Sequence, residues 1–213
     1  MSKARELANL GNAYSDGALS NRNLVINGAM QVAQRGTSQT TLGYGSVDRF
    51  IFTLSGGTGT MSQEELAFGQ TDIPSQFRNF LRVNATAGNN NMGFLHRIED
   101  VAVVEGLVTI SFYAKGSNPA SGSFSLSLYQ EFGSGGSTGV LRSVDTFVTT
   151  SSWQRFEFTA TVPSISGKTV GAGSNLEIFI SQADADTGTS AWTLDITGVQ
   201  LEVGDTATPF EHR

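Results

Sequence analysis

From Asn23 onward apolar and polar residues alternate with a period of two. Ile110, Phe112 and Ala114 alternate with Thr109, Ser111 and Tyr113, and Phe124, Leu126 and Leu128 alternate with serines. Phe156, Phe158, Ala160 and Val162 form a third set, and Leu176, Ile178 and Ile180 a fourth. Each set predicts a half-buried antiparallel strand with one face turned inward. The glycine-rich segments 133–139 and 164–174 predict connecting loops. About eight to ten such strands with no helix between them predict an all-β domain, an antiparallel β-sandwich of the jelly-roll type, over residues 23–213. In the last strand the apolar frame changes: Trp192, Leu194 and Ile196 are even, whereas Val199, Leu201 and Val203 are odd. One extra residue must be absorbed to keep both sets inward, and Gly198 is the position where a β-bulge is expected.

Residues 1–22 do not follow this rhythm. Ser2 can cap a short helix, Ala4 to Leu10 are mostly strong helix formers, and Gly11 is a natural stop. Leu7, Leu10 and Tyr14 fall three and four residues apart, on one helical face. A helix this short is marginal in water by itself. It is expected to dock on its own domain, on copies of itself in a homotrimer, or on a larger assembly.

Composition narrows the function. The chain has 213 residues, enough for a substantial core, and no cysteine, which excludes disulfides and thiolate chemistry. A formal charge of -6 makes nucleic acid an unexpected partner. Only 15% of residues are charged, and glycine (25 residues) with Ser and Thr fills the surface, as in short strands joined by tight turns. No apolar run is long enough for membrane insertion, and the first residues lack the apolar core of a signal peptide, so assembly in a reducing cytoplasm is expected.

Candidate chemistry is sparse. His96, in Phe-Leu-His-Arg-Ile, is expected to point outward from a strand, and His212 lies next to the last residue. The adjacent pairs Glu64-Glu65 and Glu99-Asp100 point to opposite strand faces and do not form a glycosidase pair. No catalytic residues, cofactor or enzymatic activity are expected. Asp184 and Asp186, with Asp195 more distant, resemble an oxygen-ligand calcium loop, although an Asx-rich turn explains them too. Trp153, Trp192, Tyr44 and Tyr129 could stack on a sugar ring. Alternation puts Trp192 in the core and makes Tyr129 the outward, glycan-facing candidate.

Three segments carry a resemblance: Ser-Asn-Arg-Asn-Leu-Val-Ile-Asn-Gly-Ala-Met-Gln-Val-Ala-Gln-Arg-Gly-Thr-Ser (20–38), Val-Asp-Arg-Phe (47–50) and Gln-Leu-Glu-Val-Gly-Asp-Thr-Ala-Thr-Pro-Phe-Glu-His-Arg (200–213). They resemble bacteriophage tail-fibre and related virion proteins, those of marine and cyanobacterial phages above all. The resemblance implies a jelly roll like that of carbohydrate-binding modules, acting in the virion as an oligomer, often a trimer. It implies a tail-fibre component attaching to host-surface polysaccharide, or alternatively a capsid decoration (cement) protein or tail adaptor with no receptor. Other virion proteins would then be its partners. Ala33 stands where many relatives have Trp, so no sugar-stacking role transfers to it. The expected role of the C-terminal cluster is a clasp. Phe210 packs over the sandwich edge, while Glu211 and Arg213 bond to Arg35, Asp48 or Arg49, or to a neighbouring subunit.

Overall fold

The computed structural model describes residues 22–90, 92–182 and 191–213. Along the chain the strands are β1 (Ser38–Gln39), β2 (Phe50–Thr53), β3 (Gly56–Glu65), β4 (Asn79–Asn90), β5 (Gly93–Glu99) and β6 (Gly106–Ser117). They are followed by β7 (Phe124–Glu131), β8 (Val140–Phe147), β9 (Gln154–Val162), β10 (Asn175–Gln182) and β11 (Trp192–Val203). A six-stranded sheet runs β1-β3-β4-β11-β6-β9, and a five-stranded sheet runs β2-β5-β10-β7-β8. Every pairing within the sheets is antiparallel. The fold is an all-β antiparallel sandwich of the jelly-roll type. The helix expected in the leader, with Leu7, Leu10 and Tyr14, lies outside the described residues. Among the described residues, no helix is long and apolar enough to cross a membrane.

The inner faces follow from alternation. Leu176, Ile178 and Ile180 of β10 meet Leu81, Val83, Ile110 and Phe112 of the opposite sheet in one continuous core. Aromatic rings join the layers: Phe112 meets Phe147 at 5.1 Å, and Phe124 meets Trp192 at 5.2 Å, both edge to face. Trp192 is buried and donates its indole N–H to Gln182 Oε1 at 3.0 Å.

The frame change in β11 is resolved at Gly198. Thr197 pairs with Tyr113 but Gln200 pairs with Ser111, so two residues of β11 oppose one of β6. Gly198 has φ 65, and a Cβ there would lie 2.6 Å from the Phe77 ring. Glycine is required on both counts.

A second apolar cluster covers the outer face of the six-stranded sheet. It contains Ala29, Ile73, Phe77, Phe80 and Trp153, with Tyr113 and Phe210 packed against it. Phe80 and Tyr113 are the outward members of their strands, which would be wet in a bare sheet. The segment between β3 and β4 and the C-terminal tail shield them instead. Trp153 is therefore an internal packing residue and not a sugar platform.

Two side chains differ from expectation. His96 points inward and is 1% exposed. It pairs across strands with the core residues Phe50 and Ile178, and its ring meets Phe50 edge-on at 5.0 Å. Phe94, Leu95 and Ile98 leave apolar residues on both parities of β5, and the pairing with Phe50 and Ile178 places His96 on the core face. Asp195, the more distant of the candidate oxygen ligands, has both carboxylate oxygens bonded to an arginine. It is buried between two cations on the six-stranded sheet, opposite Arg82 and Lys115. Arg82 donates from Nε to Oδ1 at 2.6 Å and from Nη2 to Oδ2 at 2.7 Å, occupying both oxygens. Asp184 and Asp186 lie outside the described residues.

Candidate functional site

The outer face of the five-stranded sheet carries the polar and aromatic groups best suited to a ligand, with Arg97, Leu141 and Ser143 exposed, Phe179 and Tyr129 half-buried, and Glu177 and Ser127 buried. Because Leu176, Ile178 and Ile180 face the core, Glu177, Phe179 and Ser181 of β10 face outward. The pairing register then sets their neighbours. Phe179 lies between Leu95 of β5 and Ser127 of β7, and Glu177 lies between Arg97 and Tyr129. Tyr129 in turn faces Leu141 of β8. One row across the sheet thus reads Arg97, Glu177, Tyr129, Leu141. The adjacent row reads Leu95, Phe179, Ser127, Ser143.

Geometry fixes these side chains. Arg97 Nε donates to Glu177 Oε1 at 2.8 Å, so the carboxylate is oriented and partly neutralised. Tyr129 is half-buried, and its hydroxyl leans over Gly139, where a Cβ would lie 2.1 Å from the phenol oxygen. Partial burial and the carboxylates of Glu131 and Glu177 push the phenol above its usual range. It remains a neutral donor at any ordinary pH. An aromatic ring flanked by a carboxylate, a guanidinium and serine hydroxyls can stack on a pyranose and bond its hydroxyls. Among the described residues no group of three or more His, Asp or Glu side chains could hold a metal ion.

The C-terminal cluster forms a different structure. Asn23, fully buried, donates from Nδ2 to the Glu211 carbonyl at 2.9 Å and accepts at Oδ1 from the N–H groups of Val25 and Leu201. The Arg213 carbonyl accepts from the Asn27 N–H at 3.2 Å, and Arg213 Nη1 donates to the Asn23 carbonyl at 3.2 Å. Gln200 Oε1 accepts from the Glu211 N–H at 2.8 Å, and the Glu211 carboxylate accepts from the Arg22 N–H at 3.3 Å. Phe210 packs on Phe77 with centroids 5.0 Å apart. Thr208 is held by the Glu202 carboxylate through its N–H and its hydroxyl. A recess of about 380 Å³ remains beside the tail, lined by residues that include Gly28, Gln31, Phe210 and His212.

Arg35, Asp48 and Arg49, the expected charge partners of this tail, contact other groups. The Arg35 guanidinium lies over the Tyr44 ring, 5.7 Å from its centroid. Asp48 Oδ1 accepts from the Gln34 N–H at 3.1 Å, and Arg49 pairs with Glu99 at 3.1 Å. Arg22, with Nε 3.9 Å from the Glu211 carboxylate, and groups of Asn23 and Asn27 take the place expected for them, because the tail's own N–H and C=O groups are partly buried and need partners. Sequence reading passed over Phe179, Glu177 and Arg97. Alternation marks Glu177 and Phe179 as outward within their own strand, but only the pairing of β5, β10 and β7 brings Glu177 into one row with Arg97 and Tyr129.

No protein-family model matches this chain, and no curated protein sequence matches it. Among solved structures the fold is similar to that of a cyclase from Fischerella sp. TAU, with 10% identity over 86% of this chain and 97% of that one and a TM-score of 0.54. It is similar to the enzymatically active domain of bacteriophage CBA120 tailspike protein 4, with 13% identity over 86% of this chain and a TM-score of 0.49. This chain spans 22% of that tailspike chain. A third similar structure is the CBM22-2 xylan-binding domain of Paenibacillus barcinonensis Xyn10C, with 16% identity, 78% of this chain and 98% of that one covered, and a TM-score of 0.49. At these identities the likeness is one of fold.

Proposed function

We propose that this chain is a phage virion protein, a tail-fibre component that attaches to host-surface polysaccharide through the outer face of its five-stranded sheet. It acts by binding, without hydrolysis, and as a homotrimer, so that several weak sites combine into useful avidity. The observation that carries the virion reading is spatial. The segments that resemble phage fibre proteins, at both ends of the domain, interlock around Asn23, Asn27 and Gln200. Asn27 donates from Nδ2 to the carbonyls of both Val32 and Asp48, tying the Val-Asp-Arg-Phe segment into the same unit. Residues that look like a family signature therefore form one structural device. The saccharide reading is supported by Tyr129 and its row of Glu177 and Arg97, an aromatic ring beside an oriented carboxylate and a guanidinium.

The test has two parts. Mass spectrometry of purified virions should detect the chain, and cryo-electron microscopy should locate it at the tail fibres. Its absence from particles would overturn the virion reading. A position on the capsid shell would instead favour a decoration role. Purified chain should also bind host polysaccharide without shortening it, and released oligosaccharides would overturn the non-hydrolytic reading.

A further inference from the structure

We infer that the pocket formed by Arg35, Tyr44, Asp48 and Arg49 binds the carboxylate of an acidic sugar, a uronate, at the β2 edge of the five-stranded sheet. This rests on the saccharide-binding reading above and gives it a substrate class. The pocket is open and encloses about 310 Å³, lined by those four residues. That volume suits one sugar unit of a longer chain.

The scaffold holds these side chains before any ligand arrives. Buried Gln39 donates from Nε2 to the carbonyls of Thr41 and Gly43, both at 2.8 Å, and accepts at Oε1 from Ser46 Oγ at 2.9 Å. Gly43 exchanges two backbone hydrogen bonds with Phe52 of β2. The loop that carries Tyr44 is therefore pinned at both ends, although Tyr44 itself is 45% exposed. Asp48 is tied through its N–H to Val32, through its carbonyl to Asn27 and through Oδ1 to Gln34. Its Oδ2 points to no partner among the described residues and can accept a sugar hydroxyl. Arg49 has φ 74, a left-handed conformation that a long side chain rarely adopts. Such strain persists where surrounding structure imposes it, and it concentrates at binding sites.

Charge selects the ligand. Arg35 makes no ion pair among the described residues and is only stacked on Tyr44. Arg49 pairs with Glu99, whose side chain is 85% exposed, and an exposed pair of this kind exchanges readily for another carboxylate. The pairing of Phe50 with His96 and Ile51 with Leu95 sets Arg49 opposite Arg97, at the end of the row that contains Glu177 and Tyr129. Three guanidiniums thus gather at one end of the sheet in a chain whose formal charge is -6. Planar guanidinium forks match carboxylates in geometry and are weakly hydrated. Three strand spacings of about 4.8 Å separate Tyr129 from Arg49, the span of a few sugar rings lying across the strands.

Isothermal titration of the intact chain with oligogalacturonate, and with its carboxyl-reduced neutral counterpart, tests this. The acidic probe should bind more tightly, and added salt should weaken it. Arg35→Gln should lower affinity for the acidic probe by about tenfold and leave the neutral probe unchanged. Arg142→Gln, an exposed arginine at the opposite edge of the sheet, should change neither and controls for net charge. Equal binding of the two probes, unaffected by Arg35→Gln, would overturn the uronate pocket while leaving the saccharide reading intact. Acidic binding that needs Arg35 but survives Tyr129→Ala would support the pocket and overturn the sheet-face site. No binding of either probe would overturn both.

Discussion

Asn23 and Glu211, 188 positions apart, are joined by a 2.9 Å hydrogen bond from the Asn23 side-chain amide to the Glu211 carbonyl. The oxygen of the same amide accepts from Val25 and Leu201. One buried side chain therefore ties the first described segment, the last strand and the tail together. Asn23→Ala should lower stability by about 2–4 kcal/mol, because several buried backbone groups lose their partner at once. Phe210→Ala should cost about 1–3 kcal/mol, since its ring is only partly buried against Phe77. Denaturant unfolding measures both, and a variant as stable as the parent would refute the interlock.

His96 makes the fold acid-sensitive. Its Nε2 bonds to the Ile26 carbonyl at 3.1 Å, while Nδ1 is buried without a partner. Burial, opposed by the Ile26 hydrogen bond and helped by the Arg49 charge, holds its pKa down to about 4. The unfolded chain therefore takes up the proton first as pH falls. Stability present above about pH 6.5 should be lost down to about pH 4, by about 3 kcal/mol in all. His96→Gln should flatten this part of a melting-temperature profile, and an unchanged slope would show that the histidine is not responsible.

Gly198→Ala should cost about 2–4 kcal/mol. The new Cβ meets the Phe77 ring at 2.6 Å and the φ of 65 is unfavourable for alanine. If thermal melting showed no loss, the bulge would have to be relocated.

Gly139→Ala offers a way to move Tyr129 without touching it. The added methyl would overlap the phenol oxygen, at the far end of a side chain that can swing away. Stability should fall by less than about 1 kcal/mol, while saccharide binding is lost. Binding that survives this change would remove Tyr129 from the site.

Asp195→Asn should destabilise by about 1–3 kcal/mol, because Arg82 loses a buried bidentate partner. Since the arginine already occupies both oxygens, a chelator should leave the melting temperature of the parent chain unchanged. A rise on adding calcium would restore the metal site.

Alternation by itself determined β6, β7, β9, β10 and β11 and which of their faces is buried, but not β1 to β5 or β8. A side-chain period of two leaves no alternative once one face is apolar, as in Leu176, Ile178 and Ile180. It also located the bulge, because an apolar frame that changes parity needs one unpaired residue, and Gly198 alone nearby tolerates the conformation. Where flanking residues were ambiguous, as in Phe94-Leu95-His96, local pattern could not decide the face of His96. Pairing with Phe50 and Ile178 did. The partners of the tail were also beyond the sequence. Charge suggested Arg35, Asp48 and Arg49, but buried N–H and C=O groups demand bonds wherever the chain passes, and Asn23, Asn27 and Gln200 meet the tail there. The outer-face row of Arg97, Glu177 and Tyr129 required the order of three strands distant in sequence. Period-two patterning specifies each strand's own faces, and only tertiary pairing decides which strands lie side by side.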